Sequence, residues 1–161
     1  LCYHKCMSNY SEFLNLDPET FDQDEVLGWR KLDTSKQKIQ VITAYLKSNE
    51  DSMRKGTIDE RELCALMYFH IGQLLMSISD NNSSRAIEHF IHANFDNNDR
   101  WNAYVTSTIA YLRRDVETLK NSLSMIIFLE QTEESHNNLS KVTQGLLKSL
   151  EAGQFSYSKA I

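Results

Sequence analysis

The chain has 161 residues, the length of one ordinary domain, and a net charge of −5 with neutral histidines. It contains only five glycines and one proline, which argues against turn-rich sandwiches and barrels. No apolar run reaches the roughly 18 residues that a membrane span needs. The negative charge does not favour nucleic acid or anionic lipid as a partner. We therefore expect a soluble all-α domain that acts in the cytoplasm.

The N-terminal residues and the cysteines offer little chemistry. Residues 1–7 are interpreted as a disordered leader, because they lack the apolar core of a secretory signal. Cys2, His4 and Cys6 supply three soft ligands, but a zinc site needs a fourth ligand and a rigid frame. Cys64 lies in an apolar helix, where packing is its commoner role. We expect no metal and no cofactor.

Cap signals mark the first helices. The sequence Asp-Pro-Glu from residue 17 supplies an N-cap, a proline suited to the first turn and a favourable acid, and Gly28 would end this short helix. A threonine–glutamine capping box opens a helix over 34–48. The polar stretch 48–56 is predicted to be a loop.

A longer helix is predicted over 57–78. A threonine–glutamate capping box opens it, and apolar residues hold a 3–4 spacing and fill nearly all faces. Such a helix is expected at the centre of the fold, covered on several sides. Four further helices are predicted from their apolar stripes, over residues 86–93, 101–112, 115–126 and 133–151. We expect about six helices in antiparallel hairpins and no strand.

Two helix pairs in the middle of the chain resemble each other. The pattern of Ala86, Phe90 and Ala93 recurs as three apolar residues 33 positions later. The first helix of the first pair carries Tyr68, then an Ile-Gly pair, then Leu75. Gly72 and Ala86 are small where the two helices of this pair would cross closely. Two helices joined by a turn and repeating at about 34 residues have the tetratricopeptide period.

Residues 63–129 therefore resemble a pair of degenerate tetratricopeptide repeats. The resemblance implies an α–α superhelix within a single domain, with the helices over 34–48 and 133–151 as caps. It also implies that a protein or peptide binds on the concave surface of the first helices of each pair. This surface is apolar, so a terminal helix is expected to cover it in the free protein. The residues expected at this surface are Phe69, Gln73, Met76, Asn102, Val105 and Ile109.

An acidic segment precedes Trp29. Five carboxylates occur in nine residues without a lysine or arginine among them, at Asp17, Glu19, Asp22, Asp24 and Glu25. Concentrated charge of one sign raises the encounter rate with a basic partner. A solvated helix start, where acids are favoured anyway, is the alternative explanation. Trp29 follows in a polar connection and is a further interface candidate.

The sequence contains no motif for catalysis: no glycine-rich phosphate loop, no nucleophile elbow and no helical zinc-binding histidine pair. His89 and His92 are interpreted as surface residues, and His70 as a hydrogen-bonded core histidine. We expect a non-catalytic scaffold or adaptor that binds a protein or peptide. An immunity protein that neutralises a basic bacterial toxin is the alternative. A small helical ligand-binding protein or enzyme that uses His70 is the third hypothesis.

Overall fold

The computed structural model describes residues 10–132 and 138–157. Every regular element within these two ranges is helical, which confirms the all-α class. Two short 3-10 turns, Trp29–Lys31 and Asp80–Asn82, occur between the helices. The eight α-helices of the described ranges are α1 (Ser11–Leu14), α2 (Pro18–Gln23), α3 (Ser35–Lys55), α4 (Ile58–Ile78), α5 (Ser83–His92), α6 (Asp99–Arg113), α7 (Val116–Thr132) and α8 (Leu139–Glu151).

The predicted caps open the early helices. Thr34 begins α3 and Thr57 begins α4, and both have complete capping boxes. In each box the threonine hydroxyl accepts a backbone N–H of the first turn, and a first-turn side chain accepts the N–H of the threonine. Asp17 caps α2 by accepting the N–H of Thr20. These signals act within four residues, which explains why the sequence alone reveals them.

The loop predicted over 48–56 is wrong, because α3 continues to Lys55. An i,i+4 ion pair of 2.7 Å joins Glu50 to Arg54 on this part of the helix. Met53 is its one buried side chain. A polar helix end with a single apolar residue has the composition of a loop, so apolar periodicity did not reveal it.

Some predicted boundaries lie outside the described residues. This holds for the leader over 1–7 and for residues 133–137 of the last predicted helix. The remainder of that helix is α8. The first predicted helix is shorter than expected, because α2 ends at Gln23, before Gly28.

Consecutive helices joined by short turns pack side by side as hairpins. The pairs α3–α4, α4–α5, α6–α7 and α7–α8 are in contact, and α5 also packs on α6. Helix α6 contacts α8, while α1 packs on α3 and α2 packs on α4. The result is a helical bundle, and the tetratricopeptide-like superhelix stays a prediction. None of the described helices is both long and apolar enough to cross a lipid bilayer.

Helix α4 packs tightly against a side chain of α5 at Gly72. The ring of Phe90 from α5 lies directly on this glycine, and a Cβ built there would lie 2.5 Å from a ring carbon. Ala86, one turn earlier on α5, is fully buried. The sequence-based expectation that Gly72 and Ala86 permit a close helix crossing agrees with this packing.

Replacing Gly72 by alanine is expected to destabilise the protein by about 1–3 kcal/mol, as overpacking of a dense core does. The added methyl group would force the Phe90 ring to move, although alanine has the higher helix propensity. Urea unfolding followed by circular dichroism measures the change in the free energy of unfolding.

The control is the double variant Gly72→Ala with Phe90→Leu. The smaller leucine leaves room for the new methyl group, so the double variant is expected to lose less than the sum of the two single losses. An additive or larger loss would contradict a steric clash between positions 72 and 90.

Candidate functional site

Two carboxylates of the acidic segment accept hydrogen bonds from nearby backbone N–H groups. Asp17 Oδ1 accepts the N–H of Thr20 at 2.9 Å. Asp24 Oδ1 accepts the N–H groups of Val26 and Leu27 at 2.7 and 2.8 Å. These hydrogen bonds stabilise the charged form and lower the pKa of both carboxyls. Asp17 and Asp24 therefore have a structural role that accounts for acids at these positions.

Asp22 is fully buried, and its carboxylate is surrounded by donors. Trp29 Nε1 donates to Oδ1 at 2.9 Å, the Gln23 amide donates to Oδ2, and Arg30 Nη2 lies 3.4 Å from Oδ2. Trp29 itself is only 4% exposed. The prediction that Asp22 and Trp29 face a partner is therefore wrong. The turn after α2 brings the indole back to the carboxylate, and no sequence pattern marks that return.

The predicted concave surface is also interior. Phe69 and Met76 are each 3% exposed. The Phe69 ring packs against the rings of Phe90, Trp101 and Tyr104, with centroids 4.9–5.3 Å apart. Aromatic side chains from α5 and α6 cover Phe69, and Val105 is fully buried, so the prediction that Phe69, Met76 and Val105 lie at a partner-binding surface is wrong.

Asn102 supports the turn before α6 rather than an open groove. Its side-chain oxygen accepts the N–H of Phe95 at 2.8 Å, and its amide donates to the Phe95 carbonyl at 2.7 Å. Both hydrogen-bonding ends of the amide are occupied by the backbone of one residue. This pairing fixes the connection between α5 and α6.

His70 and Gln73 extend the Asp22 network along α4. His70 Nε2 lies 3.2 Å from Arg30 Nη2 and 3.7 Å from Asp22 Oδ1, and its Nδ1 lies 3.3 Å from Gln73 Oε1. Burial lowers the pKa of His70, Asp22 opposes this shift, and Arg30 adds to it. The prediction of a hydrogen-bonded core histidine agrees with these contacts. His70 is engaged by protein groups at both ring nitrogens, which does not favour a role as base or ligand.

The two histidines of α5 pack on one tyrosine. The rings of His89 and His92 lie 6.1 and 5.1 Å from the ring of Tyr68, whose hydroxyl donates to Glu50 at 2.9 Å. Within residues 10–132 and 138–157, no group of three or more His, Cys, Asp or Glu side chains is arranged to hold a metal ion. The three N-terminal ligand candidates lie outside these ranges.

An acidic groove of about 350 Å³ lies between α2 and the first half of α4. Its walls carry three carboxylates and one amide, and its apolar part comes from two partly buried leucines. In the described part of the chain these carboxylates form no ion pair with a lysine or arginine. We define the acidic groove by Glu19, Gln23, Asp59, Glu62, Leu63 and Leu66.

Sequence reasoning found one half of this groove and missed the other. Glu19 belongs to the predicted acidic segment, while Asp59 and Glu62 lie at the start of the next long helix. Acids are common there because they suit the helix dipole, so nothing distinguished them as binding residues. The contact between α2 and α4 is the signal that joins the two halves.

Comparisons with known proteins found no match to a family model, a curated protein or a solved structure. The tetratricopeptide resemblance of residues 63–129 therefore stays a prediction.

Replacing Asp22 by asparagine is expected to destabilise the protein by about 2–3 kcal/mol, because the buried Trp29 indole and the partly buried Arg30 guanidinium lose a charged acceptor. Chemical denaturation measures this loss. Glu25→Gln is the control from the same segment, and as an exposed residue it should change stability by less than about 0.5 kcal/mol. Equal small effects of both substitutions would contradict a structural role for Asp22.

Stability is expected to fall as the pH decreases through about 6.5. The fold holds His70 neutral because burial lowers its pKa, whereas the unfolded chain takes up a proton near the usual value. The contribution of this residue is therefore complete above the unfolded pKa and is lost below it. The free energy of unfolding measured at a series of pH values between about 7.5 and 5.5 reports the slope.

The variant His70→Gln should reduce this slope. His89 also has a pKa lowered by burial, so His89→Gln should remove a separate part of the slope. The free energy of unfolding of the double variant should then change little over this pH range. A wild-type slope retained in full by the double variant would show that other groups cause the pH dependence.

Proposed function

We propose that the chain is a non-catalytic protein-binding module, and that its acidic groove receives a basic segment of a partner. The observation that carries this proposal is a set of three carboxylates, Glu19, Asp59 and Glu62, that form no ion pair within the described residues. They lie around the apolar side chains of Leu63 and Leu66. Carboxylates without internal partners are available to an external cation.

The groove suits lysine or arginine better than a simple ion. The aliphatic stem of either side chain can lie on Leu63 and Leu66 while its charged end reaches the carboxylates. The net charge of −5 would also steer a basic partner toward the chain. The same charge repels phosphate backbones and anionic lipid surfaces, so neither nucleic acid nor a membrane is proposed as a partner.

Two roles share this binding chemistry. A cytoplasmic scaffold or adaptor would bind basic segments of other proteins without changing their activity. An immunity protein would bind one basic toxin and abolish its activity, and the acidic groove together with the net charge favours such a partner. Inhibition of the bound partner distinguishes the second role from the first.

The groove is tested with a fluorescent peptide of alternating lysine and leucine. Its anisotropy is measured during titration with the full chain at low and at high salt. The variant Glu19→Gln/Asp59→Asn/Glu62→Gln is expected to bind at least about tenfold more weakly at low salt, with a smaller difference at high salt. Methyl signals of Leu63 and Leu66 should shift on binding to the wild type.

A matched control removes the same charge elsewhere. The variant Glu88→Gln/Asp96→Asn/Glu117→Gln replaces three exposed acids outside the groove. It is expected to retain nearly all of the affinity. Equal losses of affinity in the two triple variants would show that only the net charge matters, and this result would overturn the proposed groove.

A further inference from the structure

The chain turns back on itself after α8. Gly153 has a positive φ of 70°, a conformation that favours glycine. The N–H of Gly153 donates to Leu150 and the N–H of Gln154 donates to Ser149, which closes the helix end. We call residues 154–157 beyond this turn the C-terminal strap.

The strap presents two aromatic side chains to two different places. Phe155 lies against the Arg114 guanidinium, 4.0 Å from ring centroid to Cζ, and remains 42% exposed. Tyr157 is 2% exposed, and its ring lies 6.4 Å from Phe90 and 6.2 Å from Tyr111. The two aromatic residues, at i and i+2, thus occupy two sockets. Phe155 lies in an outer socket beside Arg114, and Tyr157 lies in an inner socket beside Phe90 and Tyr111.

The two sockets are built by the helices and not by the strap. The walls come from the ends of α4 and α6 and from the start of α5, and a cavity of about 90 Å³ remains beside the strap. The side chains outside the strap that line the cavity are Met76, Asp80, Ser83, Tyr111, Leu112 and Arg114. An aromatic segment from another chain would meet the same walls.

The strap is an imperfect occupant of its own sockets. The Tyr157 hydroxyl is buried beside Gln73 and Thr108, and among the described residues it has no hydrogen-bond partner of normal geometry. Burying a hydroxyl without a partner opposes binding. Phenylalanine would fill the inner socket without that penalty. The carbonyl of Gln154 accepts hydrogen bonds from Tyr111 and Ser149, close to the turn.

We propose that these sockets form a docking site for an extended partner segment with two aromatic residues at i and i+2, preferring phenylalanine at the second position. The C-terminal strap is the resident competitor at this site. A tethered segment acts at a high effective concentration, so it masks the sockets until a partner segment displaces it. This site is separate from the acidic groove and does not depend on the function proposed for that groove.

The test uses a labelled peptide that copies residues 152–157 with phenylalanine in place of the tyrosine. It is titrated into the full-length wild type and into the full-length variant Phe155→Ala, which loosens the strap. We expect the variant to bind the peptide at least about tenfold more tightly than the wild type. The peptide with the original tyrosine should bind more weakly, and a peptide with both aromatic residues replaced by alanine should not bind.

Arg114 supplies the outer socket and therefore a positional control. In the Phe155→Ala background, Arg114→Gln should weaken peptide binding several-fold, whereas Arg113→Gln, at a neighbouring exposed residue, should not. Circular dichroism checks that each variant keeps its helices. Phe155 is 42% exposed, so its loss removes little packing from the helices themselves.

A folded Phe155→Ala variant that fails to bind the peptide would overturn the proposal. Equal binding of the alanine-substituted peptide would do the same, because the aromatic sockets would then play no part. Dimerisation of the variant in place of peptide binding would identify a second copy as the occupant and would also overturn the proposed partner. Tight binding by the wild type, equal to that of the variant, would contradict the role of the strap as competitor.

Discussion

The packing of the Phe90 ring on Gly72 is the contact on which the rest of the bundle depends. It brings α5 close enough to α4 for the ring of Phe69 to meet those of Trp101 and Tyr104 from α6. The aromatic cluster of Phe69, Phe90, Trp101 and Tyr104 joins α4 and α5 to α6. A larger residue at position 72 would separate the two helices and weaken every contact that follows.

A second interaction ties the N-terminal part of the chain to the same central helix. The buried carboxylate of Asp22 binds donors from its own segment and lies beside Arg30 and His70. A charge removed from water needs such a set of partners. The acidic segment is thus divided between the interior and the surface, and only its exposed members can contribute to a long-range field.

The two proposed docking surfaces use different physics. The acidic groove would attract its proposed basic partner through the charge of its carboxylates, so salt is expected to weaken that binding. The aromatic sockets rely on apolar burial and are already occupied by Phe155 and Tyr157. A partner with both a basic segment and an aromatic segment could use the two surfaces together, and its affinity would then reflect the release of the strap.

The amino-acid sequence by itself determined the helical class and most helix starts. Capping boxes at Thr34 and Thr57 and the near-complete apolar coverage of α4 act over a few residues, so they can be recognised without a structure. It also indicated the small residue needed at position 72, and the acid at position 19 that the structure places in the groove.

Tertiary structure decided which polar and aromatic side chains are inside. Asp22 and Trp29 bury each other because a turn brings them together, and Tyr157 fills a socket built by residues far away in the chain. Such pairings arise from the path of the backbone, and no local periodicity encodes them.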